Sequence, residues 1–220
     1  MTGGSEGVAW DGETPWSPRF DDVYYSRSDG LAEARAVFLV QNGLPERLAD
    51  GFHVAELGFG TGLNLAALLH ASPGEAVRFT SFEAYPMRAE DADRALSRWP
   101  ELDGERRAIV GAWPSLLAGE AVELPGVEVR LIVGDANETL PAWAGRADAW
   151  FLDGFSPADN PELWTETLMR AVFERTAPGG TFATYTAAGH VRRALATAGF
   201  EVERVPGALG KRHMSRGRRP

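Results

Sequence analysis

Apolar positions along this chain fall into short runs that alternate between a two-residue and a 3.6-residue period. Residues 53–57 (HVAEL) form a buried-type run stopped by glycines, and 77–83 (VRFTSFE) and 147–152 (ADAWFL) also read as strands. Residues 121–124 and 127–133 are β-type runs joined by Pro125-Gly126, the pattern of a hairpin. Helical spacing appears at 31–40, with Ser28 or Asp29 available as cap and Gly43-Leu44-Pro45 as stop, and again at 62–71, 88–98, 161–176 and 189–198. Further strands are expected at 181–186 and 200–205, the last with a partner near 209–214. Residues 1–19, rich in Gly, Ser, Pro and acids, read as an irregular lead-in, and the stretch around Trp99-Pro100 and Trp113-Pro114 as less regular.

Strands alternating with helices predict an α/β fold, a mostly parallel central sheet with helices on both faces. In such sheets ligands bind just beyond the carboxyl ends of the strands, where the strand order switches. A length of 220 residues fits one domain. It divides into an N-terminal extension (1–50), a Rossmann-like core (51–205) and a basic C-terminal tail (206–220).

Composition narrows the chemistry. There is no cysteine, which excludes disulfides, thiolate metal sites and Cys nucleophiles, and no metal site is expected. With no run of about 18 apolar residues and no secretory signal pattern at Met1–Gly7, the expected location is cytoplasmic, with no membrane partner. A single domain without an evident exposed apolar stripe is expected to be monomeric. The net charge of −9 argues against a general nucleic-acid binder. Yet residues 207–220 hold five basic side chains (Lys211, Arg212, Arg216, Arg218, Arg219) and no acid. Such a tail is either a solvated end or a local phosphate contact on an acidic body.

The first core strand runs into Glu56-Leu57-Gly58-Phe59-Gly60-Thr61-Gly62. Its glycines permit a close backbone approach to a ligand, and the helix that follows offers free N–H groups. The spacing is not the G-x-G-x-x-G of dinucleotide folds, and the Lys-Ser/Thr ending of a P-loop is missing. Glu83 closes the next strand, where a carboxylate can accept hydrogen bonds from ribose hydroxyls. Asp135, in Gly134-Asp135-Ala136, closes another, where an acid can meet the amine of adenine. The ligand expected from this set is S-adenosylmethionine, and the fold a class I methyltransferase.

After 147–152 comes Asp153-Gly154-Phe155-Ser156-Pro157. Its layout is similar to the Asp/Asn-Pro-Pro-Phe/Tyr loop of amino methyltransferases, with Gly in place of the first Pro. A primary amine has a pKa of about 10.4, so freeing its lone pair at neutral pH costs up to about 4–5 kcal/mol. Asp153 could orient the amine and help take its proton, while Phe155 could wall the pocket and face the charged methyl donor. Alternatively, Asp153 caps the following turn and Phe155 belongs to the core.

Longer strings carry a family resemblance. They are Phe20-Asp21-Asp22-Val23-Tyr24-Tyr25-Ser26, Val37-Phe38-Leu39, Glu56 to Asn64, Asp148 to Pro157, Asn160-Pro161-Glu162-Leu163-Trp164, Thr184 to Arg193, and Gly210-Lys211-Arg212. Through them nearly the whole chain resembles the tRNA 5-aminomethyl-2-thiouridine methyltransferases, which stand alone (MnmD) or form half of a bifunctional protein (MnmC). The resemblance implies methylation of 5-aminomethyl(-2-thio)uridine to 5-methylaminomethyl(-2-thio)uridine at the tRNA wobble position. It implies Asp153 and Phe155 as acceptor-side residues, and Glu56, Gly58, Gly60, Thr61, Gly62, Asn64, Glu83 and Asp135 around the cofactor. The segment bearing Asp22 and Tyr24 would fold over the site. Lys211, Arg212, Arg192, Arg193 and the tail arginines are expected to contact phosphates of the anticodon stem-loop. Bifunctional relatives carry a flavin oxidase domain after this region. With the sequence ending at Pro220, separate enzymes are expected to supply the aminomethyl intermediate. A methyltransferase of the same fold acting on a small-molecule amine is the alternative.

Overall fold

A computed structural model describes residues 7–72, 76–210 and 212–220. Lys211, a candidate phosphate contact, lies outside the described residues. Eight strands form the main sheet: β4 (His53–Leu57), β5 (Val77–Glu83), β6 (Ala121–Leu124), β7 (Val127–Val133), β8 (Ala147–Leu152), β9 (Thr176–Thr184), β10 (Glu201–Pro206) and β11 (His213–Arg218). Their order is β10-β11-β9-β8-β4-β5-β7-β6. The five from β9 to β7 run parallel, while β6 and β11 are antiparallel to their neighbours. From β4 the chain moves outward through β5 to β7, then returns to the other side of β4 for β8 and β9. The switch in direction therefore lies between β4 and β8, where a ligand is expected.

Helices cover both faces. On one side are α1 (Gly30–Ala34), α2 (Leu63–Ala71), α3 (Ala89–Leu96) and α4 (Asp103–Leu117), burying Leu31, Leu65, Leu68, Leu96, Ile109 and Trp113. On the other are α5 (Ala136–Ala142), α6 (Glu166–Glu174) and α7 (Gly189–Ala198), packed around Trp150, Phe182, Leu168 and Leu195. The helix expected at 31–40 starts on the carboxylate of Asp29, which accepts from the Ala32 amide at 3.0 Å. It continues through a π turn and a 3-10 turn to Gly43, whose left-handed backbone ends it.

Several expectations are corrected. The stretch between Trp99 and Trp113 is largely helical: α4 buries one stripe (Ile109, Trp113, Leu116) and is wound through Pro114. Packing of that stripe outweighs the hydrogen bond that Pro114 cannot donate. A short helix, α5, follows Asp135 where none was anticipated. The helix expected over 161–176 is a 3-10 turn (Pro161–Trp164) and then α6, and β9 begins at Thr176 rather than 181. Within the lead-in, β1 (Ala9–Asp11) and β2 (Thr14–Ser17) form a small antiparallel sheet with β3 (Asp22–Val23). This sheet is fastened to α3: the Arg94 guanidinium lies 3.8 Å above the Trp10 ring, and the Trp10 indole donates to Asp91 at 3.3 Å.

The strand partner expected near 209–214 lies further on: 213–218 is β11, inserted between β9 and β10. Arg216 pairs with Glu203 at 2.8 Å and Arg218 with Glu201 at 2.6 Å, both across the β10–β11 ladder. Arg219 donates to the carbonyls of Phe173 and Thr176.

Candidate active site

A cavity of about 890 Å³ opens at the carboxyl ends of β4, β5, β8 and β9, over the switch point. Gly58, Gly60, Thr61, Asn64, Glu83, Asp135, Asp153 and Phe155 all line it, joined by Asp22 and Tyr24 from the N-terminal segment. Gly62 turns the chain into α2 with a left-handed backbone, and Glu56 lies behind the wall, 1% exposed. Arg192, Arg193 and Arg212 do not line it.

Gly58 makes the meeting of the two central loops sterically feasible. Its φ is +84°, and a Cβ there would sit 3.1 Å from Gly154 Cα and 3.2 Å from the Asp153 carbonyl. Only a residue without a side chain lets the loops after β4 and β8 approach this closely. Gly154 has a backbone, φ +134°, that residues with a side chain rarely adopt, and a Cβ there would press on the end of the Leu163 side chain.

Around this contact runs a chain of polar groups. The Asn64 amide donates one hydrogen to Glu56 Oε1 at 2.9 Å and the other to Asp153 Oδ2 at 2.8 Å. Ser81 Oγ donates to Glu56 Oε2 at 2.7 Å. Burial raises the Glu56 carboxyl well above its usual range; Ser81 and Asn64 oppose that, while the charges of Asp153 and Glu83 add to it. Asp153 Oδ1 accepts from the Gly154 amide at 2.9 Å, so the residue caps its own turn and also faces the cavity.

At the cofactor end, Glu83 receives the Gly60 amide at 3.0 Å and the Tyr85 amide at 2.8 Å, one on each oxygen. Asp135 caps α5 through the Asn137 amide at 2.8 Å. Each carboxylate oxygen can accept more than one hydrogen bond, so both groups retain capacity toward a ligand.

At the acceptor end the wall is aromatic. Phe20 stacks on Phe155 with ring centroids 4.7 Å apart, and Tyr24 meets Phe155 edge-on at 5.1 Å. Asp22 holds this segment down by accepting from the Ser156 amide at 3.0 Å. Sequence reasoning assigned no role to Phe20, Glu33 or Tyr185. Tyr185 follows β9, where the strand-end rule already pointed, and its hydroxyl donates to the Gly154 carbonyl at 2.9 Å. Burial, with the charges of Asp153, Asp22, Glu33 and Asp159, holds that phenol far above its usual range. Glu33 is signalled in sequence only as a polar residue on the buried stripe of α1. Its carboxylate and those of Asp22 and Asp153 give this end of the cavity a negative field.

The residues present suit S-adenosylmethionine. The volume lies within the range of small-molecule sites, the Gly58 contact leaves bare backbone at the switch point, and carboxylates stand at the ends of β5 and β7. A family model described as S-adenosyl-L-methionine-dependent methyltransferase matches residues 100–220. This chain belongs to that family.

Relatives of the methyltransferase include the "tRNA 5-methylaminomethyl-2-thiouridine biosynthesis bifunctional protein MnmC" of Caulobacter vibrioides, 48% identical over 224 residues, 97% of this chain and 38% of that protein. The protein of the same description from Chromobacterium violaceum is 42% identical over 230 residues, 99% of this chain and 35% of the other. The chain thus spans little more than a third of these relatives' length. Among solved structures, MNMC2 from Aquifex aeolicus shares the fold, with a TM-score of 0.72 at 24% identity over 97% of this chain and 70% of that one. The S-adenosylmethionine-bound aminopentose methyltransferase CalS10 of Micromonospora echinaspora shares it at a TM-score of 0.51 and 16% identity, over 88% and 93% of the two chains.

Proposed function

We propose that this methyltransferase converts the primary amine of 5-aminomethyl(-2-thio)uridine at the tRNA wobble position to a methylamine. The observation that carries an amine as acceptor is the Asp153 carboxylate, fixed by Asn64 at the edge of an aromatic-walled, carboxylate-rich cavity. The tRNA as its bearer is supported by relatives at 42–48% identity whose description names tRNA 5-methylaminomethyl-2-thiouridine biosynthesis.

When bound, S-adenosylmethionine supplies an electrophilic methyl on a sulfonium. The chain's own residues do the rest. The carboxylates of Asp22, Glu33 and Asp153 favour entry of a cationic ammonium. Asp153 Oδ2, held on the Asn64 amide, takes a proton from the bound ammonium or passes it to solvent, so the nitrogen gains its lone pair before transfer. The free amine, hydrogen-bonded to Asp153, is aimed at the methyl. The N–C bond would form as the methyl–sulfur bond breaks, leaving a protonated secondary amine. Phe155, braced by Phe20 and Tyr24, excludes water and presents a ring face to positive charge. Placement of this kind can supply roughly 7–11 kcal/mol of barrier reduction.

The test incubates the protein with methyl-labelled cofactor and tRNA lacking the terminal methyl group, then digests the RNA to nucleosides. Label is expected in 5-methylaminomethyl(-2-thio)uridine. Labelling of a small amine with none in tRNA would overturn the reading. Asp153→Ala is expected to lower kcat by about 10²–10⁴-fold while cofactor affinity stays within a few-fold.

A further inference from the structure

β9 leads at its carboxyl end to Tyr185 and hence to the cavity, and β11 runs beside it with Ser215 opposite Thr184. His213 therefore lies beyond the end of β9, on the cavity edge of the sheet, where Ser215 Oγ is pinned to the Thr186 carbonyl at 2.8 Å. Pro206 pairs with His213 and Arg204 with Ser215, and the Gly207 amide donates to the Arg212 carbonyl at 3.1 Å. From the first turn of α7, Arg192 bends back to the Ala187 carbonyl at 3.3 Å.

Strand register and the first turn of α7 place Arg192, Arg204 and Arg212 on the elements around His213. His213 senses all of them: its imidazole is held below the usual range by desolvation and then by Arg204, Arg212 and Arg192. Among the described residues, none of the three arginines has a carboxylate within ion-pair distance. Arg216 and Arg218 are paired with glutamates. Arg219 is engaged beside Thr176, at the opposite end of β9, roughly 26 Å of strand from Thr184.

We propose that Arg192, Arg204 and Arg212 form the surface that grips backbone phosphates of the substrate RNA next to the cavity, in place of the C-terminal arginines. This rests on the reading of tRNA as substrate. A net charge of −9 repels RNA on balance. Uncompensated guanidiniums at the active edge supply the attraction locally, and their planar fork suits phosphate oxygens. A nucleotide whose base substituent enters past Tyr185 places its flanking phosphates at that rim.

The experiment measures binding and methylation of hypomodified tRNA across a salt series. It compares the wild type, the triple variant Arg192→Ala/Arg204→Ala/Arg212→Ala, and the pair Arg216→Ala/Arg218→Ala. Loss of three phosphate contacts should flatten the slope of log K against log salt by about 2. Affinity of the triple variant near physiological salt should fall at least about tenfold, with cofactor affinity and thermal midpoint unchanged. The pair should keep the wild-type slope. A triple variant with wild-type slope and affinity overturns the surface while leaving the tRNA reading intact, and so does a pair variant whose slope flattens. A wild type that neither binds nor methylates the tRNA overturns both.

Discussion

At the residue scale, Asn64 turns out to be more than a cofactor neighbour. With both amide hydrogens donated to carboxylates, it fixes Asp153 from behind and ties it to the buried Glu56. A hydrogen bond donated to a carboxylate favours its charged form and lowers its pKa. Removing this one with Asn64→Ala should therefore raise the Asp153 pKa and move the acidic limb of the kcat profile to higher pH. KM for the cofactor should change less than kcat for the acceptor. A uniform loss of kcat at every pH would show that Asn64 only packs. The resemblance singled out Asn64 by position; its double donation is set by the fold, because Asp153 is 89 residues away.

At the scale of elements, the site depends on two loops from neighbouring strands meeting without side chains between them. Gly58→Ala combines a backbone at φ +84° with a Cβ pressed against Gly154 and the Asp153 carbonyl. The left-handed conformation alone costs roughly 1–2 kcal/mol for a residue with a Cβ. The substitution is expected to lower stability by at least that amount in denaturant titrations, and to weaken cofactor binding by calorimetry as the loops are pushed apart. Wild-type affinity and stability together would refute the close-approach argument. The G-x-G-x-G spacing announced a tight turn, whereas the need for glycine at its first position comes from a strand that joins β4 much later in the chain. Element legibility follows the same division. β4, β5, β8 and α7 were readable to the residue because their apolar runs are bounded by turn residues. α4 was obscured by Pro114 and by its short apolar stripe, which only packing against α2 and α3 makes decisive.

For the molecule as a whole, the buried carboxyl of Glu56 sets a pH dependence. Its folded pKa is raised from 4.5, so the folded state holds a proton that the unfolded chain releases. Its contribution to stability is fully present below about pH 4.5 and is lost as pH rises through the folded value. Glu56→Gln keeps an acceptor for Asn64, and the Ser81 hydroxyl, which now donates to Glu56, can turn to accept from the new amide, but the side chain cannot ionise. The variant should melt higher than the wild type at neutral pH, with the gap closing as pH falls towards 4.5. Thermal midpoints across pH 4–8 check this, and a gap independent of pH would contradict it.

The sequence by itself determined the alternation of strands and helices, the glycine turn after the first core strand, and the acids at strand ends. These are local properties, encoded by hydrophobic period and turn chemistry within a few neighbouring residues. It also carried the long motifs that point to one family. Only the tertiary structure decided which distant groups meet: Asn64 with Asp153, Phe20 with Phe155, Tyr185 with the Gly154 carbonyl. It also decided that Arg216 and Arg218 lie in a strand opposite glutamates. Charge in a sequence gives a sum over residues; whether an arginine is compensated depends on which strand pairs beside it, and that is a property of the fold.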